Sequence, residues 1–459
     1  MLTEKVFNEN HSNLIVAKFG GTSVADYQAM CRCAQIIKKS SATRVVVVSA
    51  SSGVTNQLVR LSQANIAQDE QLSIIESIRK IQFNISQHLA NESQLNQVIS
   101  GLLAELADQA SKQSQSYSAQ TSDTILSFGE QFSSLLFTEV LQSLAISAQC
   151  FDVRQVMKTN SLYGKAVVDI EQVKHQAKTV LADKLATTVI VTQGFIGQDG
   201  LGNTTTLGRG GSDYSAALLA EALNANELAI WTDVVGIFTT DPRITSQARA
   251  INEISFGEAA EMATFGAKIL HPATLIPAMR HNIPVFVGSS KEPEKGGTQI
   301  KQQVESNPTY RSIALRREQT LVTVKSPAML HASGFLAKVF AILAKHELSV
   351  DLITTSEISV ALTFDNPTGS TQALITSTVV QELEQLCEVS VEHGLSLVAV
   401  IGNQLNSTNG IGRSIFEAID DVNIRMICHG ASANNLCFLV NEVDANKVVE
   451  KLHDTLFDQ

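Results

Sequence analysis

Four consecutive valines, Val45 to Val48, lie between Arg44 and the Ser49-Ala50 pair. A β-branched run with no polar member has no face to offer water, so it reads as a strand covered on both sides, the kind buried in parallel sheets. Parallel neighbours need helical crossovers, and the flanking chain supplies them. Residues 14–19 (Leu-Ile-Val-Ala-Lys-Phe) read as a strand stopped by Gly20-Gly21 and followed by a helical segment to about Lys39. Further strands are expected at 149–153, 188–192 and 227–232, with 283–287 as the last of this half. Between 57 and 147 the apolar spacing becomes helical, as in Ile75, Ile78 and Ile81 or in Ile125, Phe128 and Phe132, and three helices fit. The expected class is α/β, with helices on both faces of a mainly parallel sheet.

Sheets of that kind bind ligands at the carboxyl ends of their strands. Lys18 stands at such an end beside Gly20 and Gly21, where an ammonium group can neutralise charge on a transferring phosphoryl group. Ser49 and Thr55 follow the valine strand. The most distinctive loop spans residues 205–213, Thr-Thr-Leu-Gly-Arg-Gly-Gly-Ser-Asp. Its glycines at 208, 210 and 211 free backbone N–H groups for an anion, and the helix that follows aims its positive end at the same place. Arg209 offers a planar fork for carboxylate or phosphate, while Asp213 can orient a metal, a lysine or a nucleophile. Glu130 sits among core-type residues beside Gly129, where a carboxylate can hold an ammonium group. Taken singly, Lys18 and Glu130 read as solvated side chains, and Thr55 suits a helix cap as well as a site. The polar loop from Asp233 to Arg243, punctuated by Gly236 and Pro242, suits a nucleotide or an ordinary connection.

Residues 291–308 have the turn-rich character of a linker, with Gly296-Gly297-Thr298 still assignable to the first half. Beyond it the pattern changes to strand 321–325, helix 334–345, strands 349–354 and 358–364, helix 371–386 and strand 388–392, which is βαββαβ. The order restarts at 395–401, with helix 411–420, strands 423–428 and 435–440 and helix 444–456, and lacks its closing strand. Residues 312–315 can fill that place, giving two small ferredoxin-like units. A formal charge of −11, from 34 basic and 45 acidic residues, argues against nucleic-acid and anionic-membrane surfaces but leaves small anionic substrates open. Scattered cysteines without a CxxC pair, no signal pattern and no apolar run near the roughly 20 residues of a membrane span predict a soluble cytoplasmic protein. Neither a Walker A sequence nor the protein-kinase signatures occur.

Four motifs occur in order: Lys18-Phe-Gly-Gly-Thr-Ser-Val24, residues 205–213, Trp231-Thr-Asp-Val234 and Thr239-Thr-Asp-Pro-Arg243. Together they resemble the aspartate kinases of the amino-acid kinase superfamily, in particular the monofunctional lysine-sensitive type, and the paired C-terminal units look like ACT domains. The resemblance implies a three-layer αβα amino-acid kinase domain over 14–298 and ACT domains over 312–394 and 395–459, the last completed by strand 312–316. It implies transfer of the ATP γ-phosphoryl group to the side chain of L-aspartate, with Mg2+ bridging phosphates, as the first step towards lysine, threonine and methionine. Carried over by motif, Lys18 and Asp213 are catalytic and Lys18, Gly20 and Gly21 face the phosphoryl group. Thr55, Glu130, Arg209 and Ser212 hold aspartate, and Thr232, Asp233, Phe238, Arg243 and Lys268 line the ATP site. The same resemblance implies L-lysine inhibition between ACT domains of a homodimer, with tetramers also possible. The stretches concerned are Met329, Gly334, Phe335, Leu336, Ser349, Val350 and Asp351, with Thr355, Ser356 and Glu357.

Two departures stand out: Ala332 where the lysine-sensitive pattern has serine, and Phe238 in place of a common tyrosine. The alternatives are a kinase for another acid, such as glutamate or acetylglutamate, and a catalytically silent amino-acid sensor. Intact Lys18, Arg209 and Asp213 weigh against the sensor.

Overall fold

The computed structural model describes residues 13–266, 270, 272–330, 333–365 and 374–457. It divides into two compact units. One comprises Met1–Ile237, Ala250–Phe256 and Ile269–Val304, the other Phe238–Arg249, Gly257–Lys268 and Glu305–Gln459.

The first unit holds β1 (Ile15–Phe19), β2 (Thr43–Val48), β3 (Ala148–Phe151), β4 (Val189–Gln193), the hairpin β5 (Ile196–Gln198) and β6 (Thr204–Thr206), β7 (Glu227–Thr232), β8 (Glu253–Ser255), β9 (Val285–Ser289) and β10 (Gly297–Lys301). Eight of these form a sheet in the order β3-β4-β2-β1-β7-β9-β10-β8. Only the β9–β10 pair is antiparallel. Alternate residues divide between the faces, as the pleat requires. Phe19, Val46, Val48 and Val191 enter a core shared with the helices Tyr27–Lys39, Val54–Leu61, Gln68–Ser86, Glu92–Gln115 and Ala119–Ser143. Val16, Val45, Val47, Ile190 and Ile230 are equally buried, and lie on the opposite face, covered by the mutually packed helices Ile170–Leu185, Gly211–Ala222 and Pro272–Arg280.

Two expectations for this half need correction. Residues 54–143 make four helices rather than three, because the chain turns between Leu61 and Gln68, with Asn65 at φ 58°. Residues 283–287 are not the last strand either. The polar stretch read as a linker contains β10, whose Thr298 and Ile300 are fully buried. Gly297 lets it approach β9, since a Cβ there would lie 2.3 Å from the Val287 carbonyl oxygen.

The second unit is built on β11 (Tyr310–Lys325), β12 (Ile353–Thr355), β13 (Ser359–Asp365), β14 (Glu388–Gly402), β15 (Met426–His429) and β16 (Asn435–Asn441), an antiparallel sheet in the order β12-β13-β11-β14-β16-β15. The long strands β11 and β14 run through both βαββαβ patterns, with register shifts near Arg316 and Gln319. Residues 312–316 thus pair with 397–401 in the second pattern, and 321–325 with 388–392 in the first. Each pattern keeps its own core, around Val339, Leu343 and Phe364 in one and Ile415, Phe438 and Leu452 in the other. The strand expected at 349–354 is only Ile353–Thr355, a short exposed edge. The helix expected at 371–386 is Ser377–Glu384, started by the Thr376 side chain accepting from the Val379 N–H; residues 371–373 lie outside the described ones. Among the described residues no helix is long and apolar enough to cross a membrane.

Candidate functional site

Because β1, β2, β4, β7 and β9 run parallel, their carboxyl ends share one edge, where backbone bonds tie the outgoing loops together. Gly20 N–H donates to the Trp231 carbonyl (3.0 Å), Ser49 N–H to that of Phe19 (3.1 Å), Gly194 N–H to that of Val48 (2.9 Å) and Ser290 N–H to that of Thr232 (2.9 Å). Glycine is required at 21, since a Cβ would lie 2.7 Å from the Ala50 carbonyl oxygen.

Lys18 points into this edge and is not solvated. It is 8% exposed, and its Nζ lies 2.5 Å from Asp213 Oδ1. Asp213 stands in the first turn of the helix Gly211–Ala222, so the glycine loop delivers a carboxylate to the strand lysine. Gly208 (φ 75°) and Gly210 (φ 73°) take the left-handed conformation that makes this possible. Gly194 makes room for Ser212, whose Cβ would be 2.6 Å from a Cβ at 194. Arg209, at the loop's tip, is exposed and has no hydrogen-bond or ion-pair partner among the described residues.

Glu130 is also buried, at 5% exposure. Burial pushes its carboxyl up to about 8, against the pull of the Ala50 N–H and the Lys18 ammonium. Gly129 explains the close fit: a Cβ there would sit 2.6 Å from the Ala50 Cβ. On the next turn the Ser133 hydroxyl donates to the Ser49 carbonyl at 2.7 Å. Thr55 is exposed in the first turn of the helix Val54–Leu61; Gly53, at φ 84°, is that helix's cap, so the Thr55 hydroxyl is not spent on capping. Thr232 donates to the exposed carboxylate of Asp233 at 3.2 Å.

Sequence reasoning missed Asp123. Its buried carboxylate accepts from Gly164 N–H (2.9 Å), Thr206 N–H (2.7 Å) and the Thr206 hydroxyl (2.9 Å), fixing the strand that leads into the glycine loop. A signal was present, because residues 123 and 130 are two turns apart and share a helix face.

The remaining candidates belong to the second unit. Phe238 is half-buried, and Arg243 is exposed and paired with Asp241 at 2.6 Å. Lys268 and Ala332 lie outside the described residues. Asp351 is held by Arg316 at 3.0 Å, and Arg316 also reaches Asp365 at 2.6 Å. Burial raises the Asp351 carboxyl and the Arg316 charge opposes it. Gly334, at φ 84°, opens the helix Phe335–Lys345, with Met329 half-buried in the turn before it and Leu336 exposed on it. Ser349 is exposed and Val350 half-buried, while Thr355, Ser356 and Glu357 are exposed at the end of β12. Both segments lie along β13: Asp351 N–H donates to the Thr363 carbonyl, and Thr355 pairs with Val360.

The first unit thus offers a buried ammonium held by a carboxylate, a second buried carboxyl within reach of its charge and, on the glycine loop, an exposed guanidinium, groups suited to two anions of which one carries an amine. Comparison with known proteins agrees. The model of the amino acid kinase family matches residues 13–289, and that of an ACT domain matches residues 398–456. Lysine-sensitive aspartokinase 3 of Escherichia coli (strain K12) is 52% identical over 450 residues, which covers 97% of this chain and 100% of that protein. The chain belongs to the aspartokinases of the amino acid kinase family. A chloroplastic member, aspartokinase 1 of Arabidopsis thaliana, is 33% identical over 96% of this chain and 80% of its own length. Two crystal structures of E. coli aspartokinase III cover 97% of the chain and all of their own. The complex with aspartate and ADP (R-state) is 52% identical with a TM-score of 0.89, and the complex with lysine and aspartate (T-state) is 53% identical with a TM-score of 0.84. The amino-acid kinase fold followed by ACT structure, expected from the motifs, is therefore the fold of this aspartokinase family member.

Proposed function

We propose that this chain transfers the γ-phosphoryl group of ATP to the side-chain carboxylate of L-aspartate, giving 4-phospho-L-aspartate and ADP, and that L-lysine inhibits it. The observation that carries this reading is the Lys18–Asp213 pair at the glycine edge, 2.5 Å apart and beside the buried Glu130. A carboxylate nucleophile needs no general base, so the demand is to bring two anions together in line. Lys18 meets it by sharing its ammonium with the transferring phosphoryl group, Asp213 holds that ammonium in place, and the glycine turn at Gly20 and Gly21 lets the phosphates approach the backbone. Arg209 takes the α-carboxylate of aspartate, Glu130 its ammonium, and Thr55 and Ser212 complete the pocket. Thr232, Asp233, Phe238, Arg243 and Lys268 are assigned to the nucleotide. Mg2+ supplies further neutralisation to the phosphates; since it keeps several waters and takes few carboxylates, the exposed Asp233 is the donor that suits it, Asp213 being taken by Lys18.

The reading extends to domains at 14–298, 312–394 and 395–459, to a cytoplasmic location and to a homodimer joined through the ACT sheet. The initial test is a coupled assay with ATP and Mg2+ against aspartate, glutamate and N-acetylglutamate, repeated with lysine, threonine and methionine. Turnover with aspartate alone and inhibition by lysine are expected; turnover with another acid and none with aspartate refutes the assignment.

Glu130 gives a pH prediction. Its carboxyl is raised from the ordinary 4.5 to about 8, so at pH 7 most of the free protein holds a proton there. Between those values the folded state binds a proton that the unfolded chain has released. The raised value therefore favours the fold below the ordinary value, and that contribution is lost as pH rises through about 8. An arriving substrate ammonium favours the ionised form, so aspartate binding at pH 7 releases up to about one proton. Calorimetry in buffers of different ionisation enthalpy measures this release, which vanishes in Glu130→Gln. An undiminished release in that variant places the proton elsewhere.

For the effector, Asp351→Ala is expected to raise the lysine concentration for half-inhibition by about tenfold or more, the loss of a charged hydrogen bond, with activity in the absence of lysine retained. Unchanged inhibition at fixed aspartate and ATP removes Asp351 from the effector site.

A further inference from the structure

The C-terminal helix Ala445–Phe457 turns an apolar stripe of Val448, Val449, Leu452 and Leu456 into its core, and His453 lies fully buried among them. A hydrocarbon side chain would fill that space without the cost of burying a polar ring. The ring's Nε2 is 2.9 Å from the Thr239 hydroxyl, and its face stacks on Phe457 at 4.8 Å.

Thr239 is the neck of the loop that carries Arg243. Its N–H donates to the Arg249 carbonyl (2.9 Å), its hydroxyl accepts from Arg249 N–H (3.0 Å), and its carbonyl accepts from Ile313 N–H of β11 (2.7 Å). One backbone bond and one side-chain oxygen therefore close the loop at residues 239 and 249, a second backbone bond ties its neck to β11, and His453 fixes the rotamer of that oxygen. The neighbouring Phe238 carbonyl accepts from the Ser312 hydroxyl at 3.3 Å.

We propose that His453 is a positioning residue for nucleotide binding: by holding Thr239 it sets where Phe238 and Arg243 are presented. The inference rests on the assignment of those two residues to ATP. It places a determinant of nucleotide affinity on the last helix of the chain, in a residue that touches neither substrate.

The test is steady-state kinetics on the full-length protein without lysine. His453→Phe keeps the ring volume and removes the bond to Thr239; Thr239→Val keeps the shape and removes both that bond and the acceptor of Arg249 N–H. Each is expected to raise the KM for ATP by about tenfold, the upper range for one buried hydrogen bond. The KM for aspartate and kcat stay within about twofold, because the loop and not the reacting atoms is displaced. The double variant is no worse than Thr239→Val alone, since that change already removes the bond to His453 together with the one from Arg249 N–H. His453→Gln, which can place an amide nitrogen near Nε2, restores most of the affinity. A KM for ATP unchanged in Thr239→Val and His453→Phe, an equal rise in the KM for aspartate, or additive losses overturns the proposal; should His453→Phe fail to fold, Thr239→Val and His453→Gln decide it. Arg243→Ala is measured alongside. If it leaves the KM for ATP unchanged, the nucleotide role of the loop falls and the proposal with it; if it raises that KM while the other variants do not, only the positioning role falls.

Discussion

On the role proposed for Lys18, Lys18→Ala lowers kcat by about a hundredfold or more while the chain stays folded, because the cation assigned to the phosphoryl group in transit is lost. The structural side is specific. The Lys18 side chain is 10% exposed and that of Asp213 16%, so little water screens the pair, and on the proposed placement of the phosphates an Asp213 carboxylate without its lysine adds a repelling charge. The same geometry predicts some loss of stability, since one partner of a buried pair is left uncompensated. Turnover is therefore compared at a temperature where circular dichroism shows both proteins folded. A kcat within a fewfold of the unmutated protein means that Lys18 has a structural role alone.

Arg209→Ala raises the KM for aspartate by about a hundredfold, the scale expected for losing a bidentate contact to a carboxylate, and shifts the KM for ATP far less. It differs from the lysine variant in its stability. Arg209 is exposed and without a partner among the described residues, so its removal leaves no unpaired group and the melting temperature should hold. Arg209→Lys recovers only part of the loss, because an ammonium cannot reproduce the planar fork. An unchanged KM for aspartate shows that the loop's guanidinium serves another ligand.

Much of this is legible in the sequence. Val45–Val48 announced a doubly covered strand, and the buried parallel strand β2 is what they form. Gly20-Gly21 marked the stop of a strand and the glycines of 208–211 a loop free to take positive φ; β1 ends at Phe19, and Gly208 and Gly210 do take positive φ. What stayed hidden depends on distant partners. Glu130, taken singly, reads as a surface glutamate even among core-type neighbours; its 5% exposure comes with a close approach of its helix to the chain after β2, where Gly129 lies against Ala50. β10 reads as a polar linker because its two inward residues, Thr298 and Ile300, are separated by Gln299 and flanked by glycine and lysine. The continuity of β11 through both ACT patterns escaped notice because the register shift near Arg316 falls among charged residues that resemble a loop. Likewise the segments 238–249 and 257–268 lie mid-way through the kinase pattern in sequence, yet cluster with the ACT unit through bonds such as Thr239 to His453 and Glu258 to Arg311 (2.8 Å), which no local pattern encodes.

The central claim is that cationic side chains and free amides of the first unit let two mutually repelling acids meet. The most direct measurement is a crystal structure of this protein with a non-hydrolysable ATP analogue, Mg2+ and L-aspartate bound together. The account predicts Lys18 Nζ on the γ-phosphate, the Arg209 fork on the α-carboxylate of aspartate and the Glu130 carboxylate on its ammonium. Lys18 and Arg209 both turned away from the two ligands would contradict it.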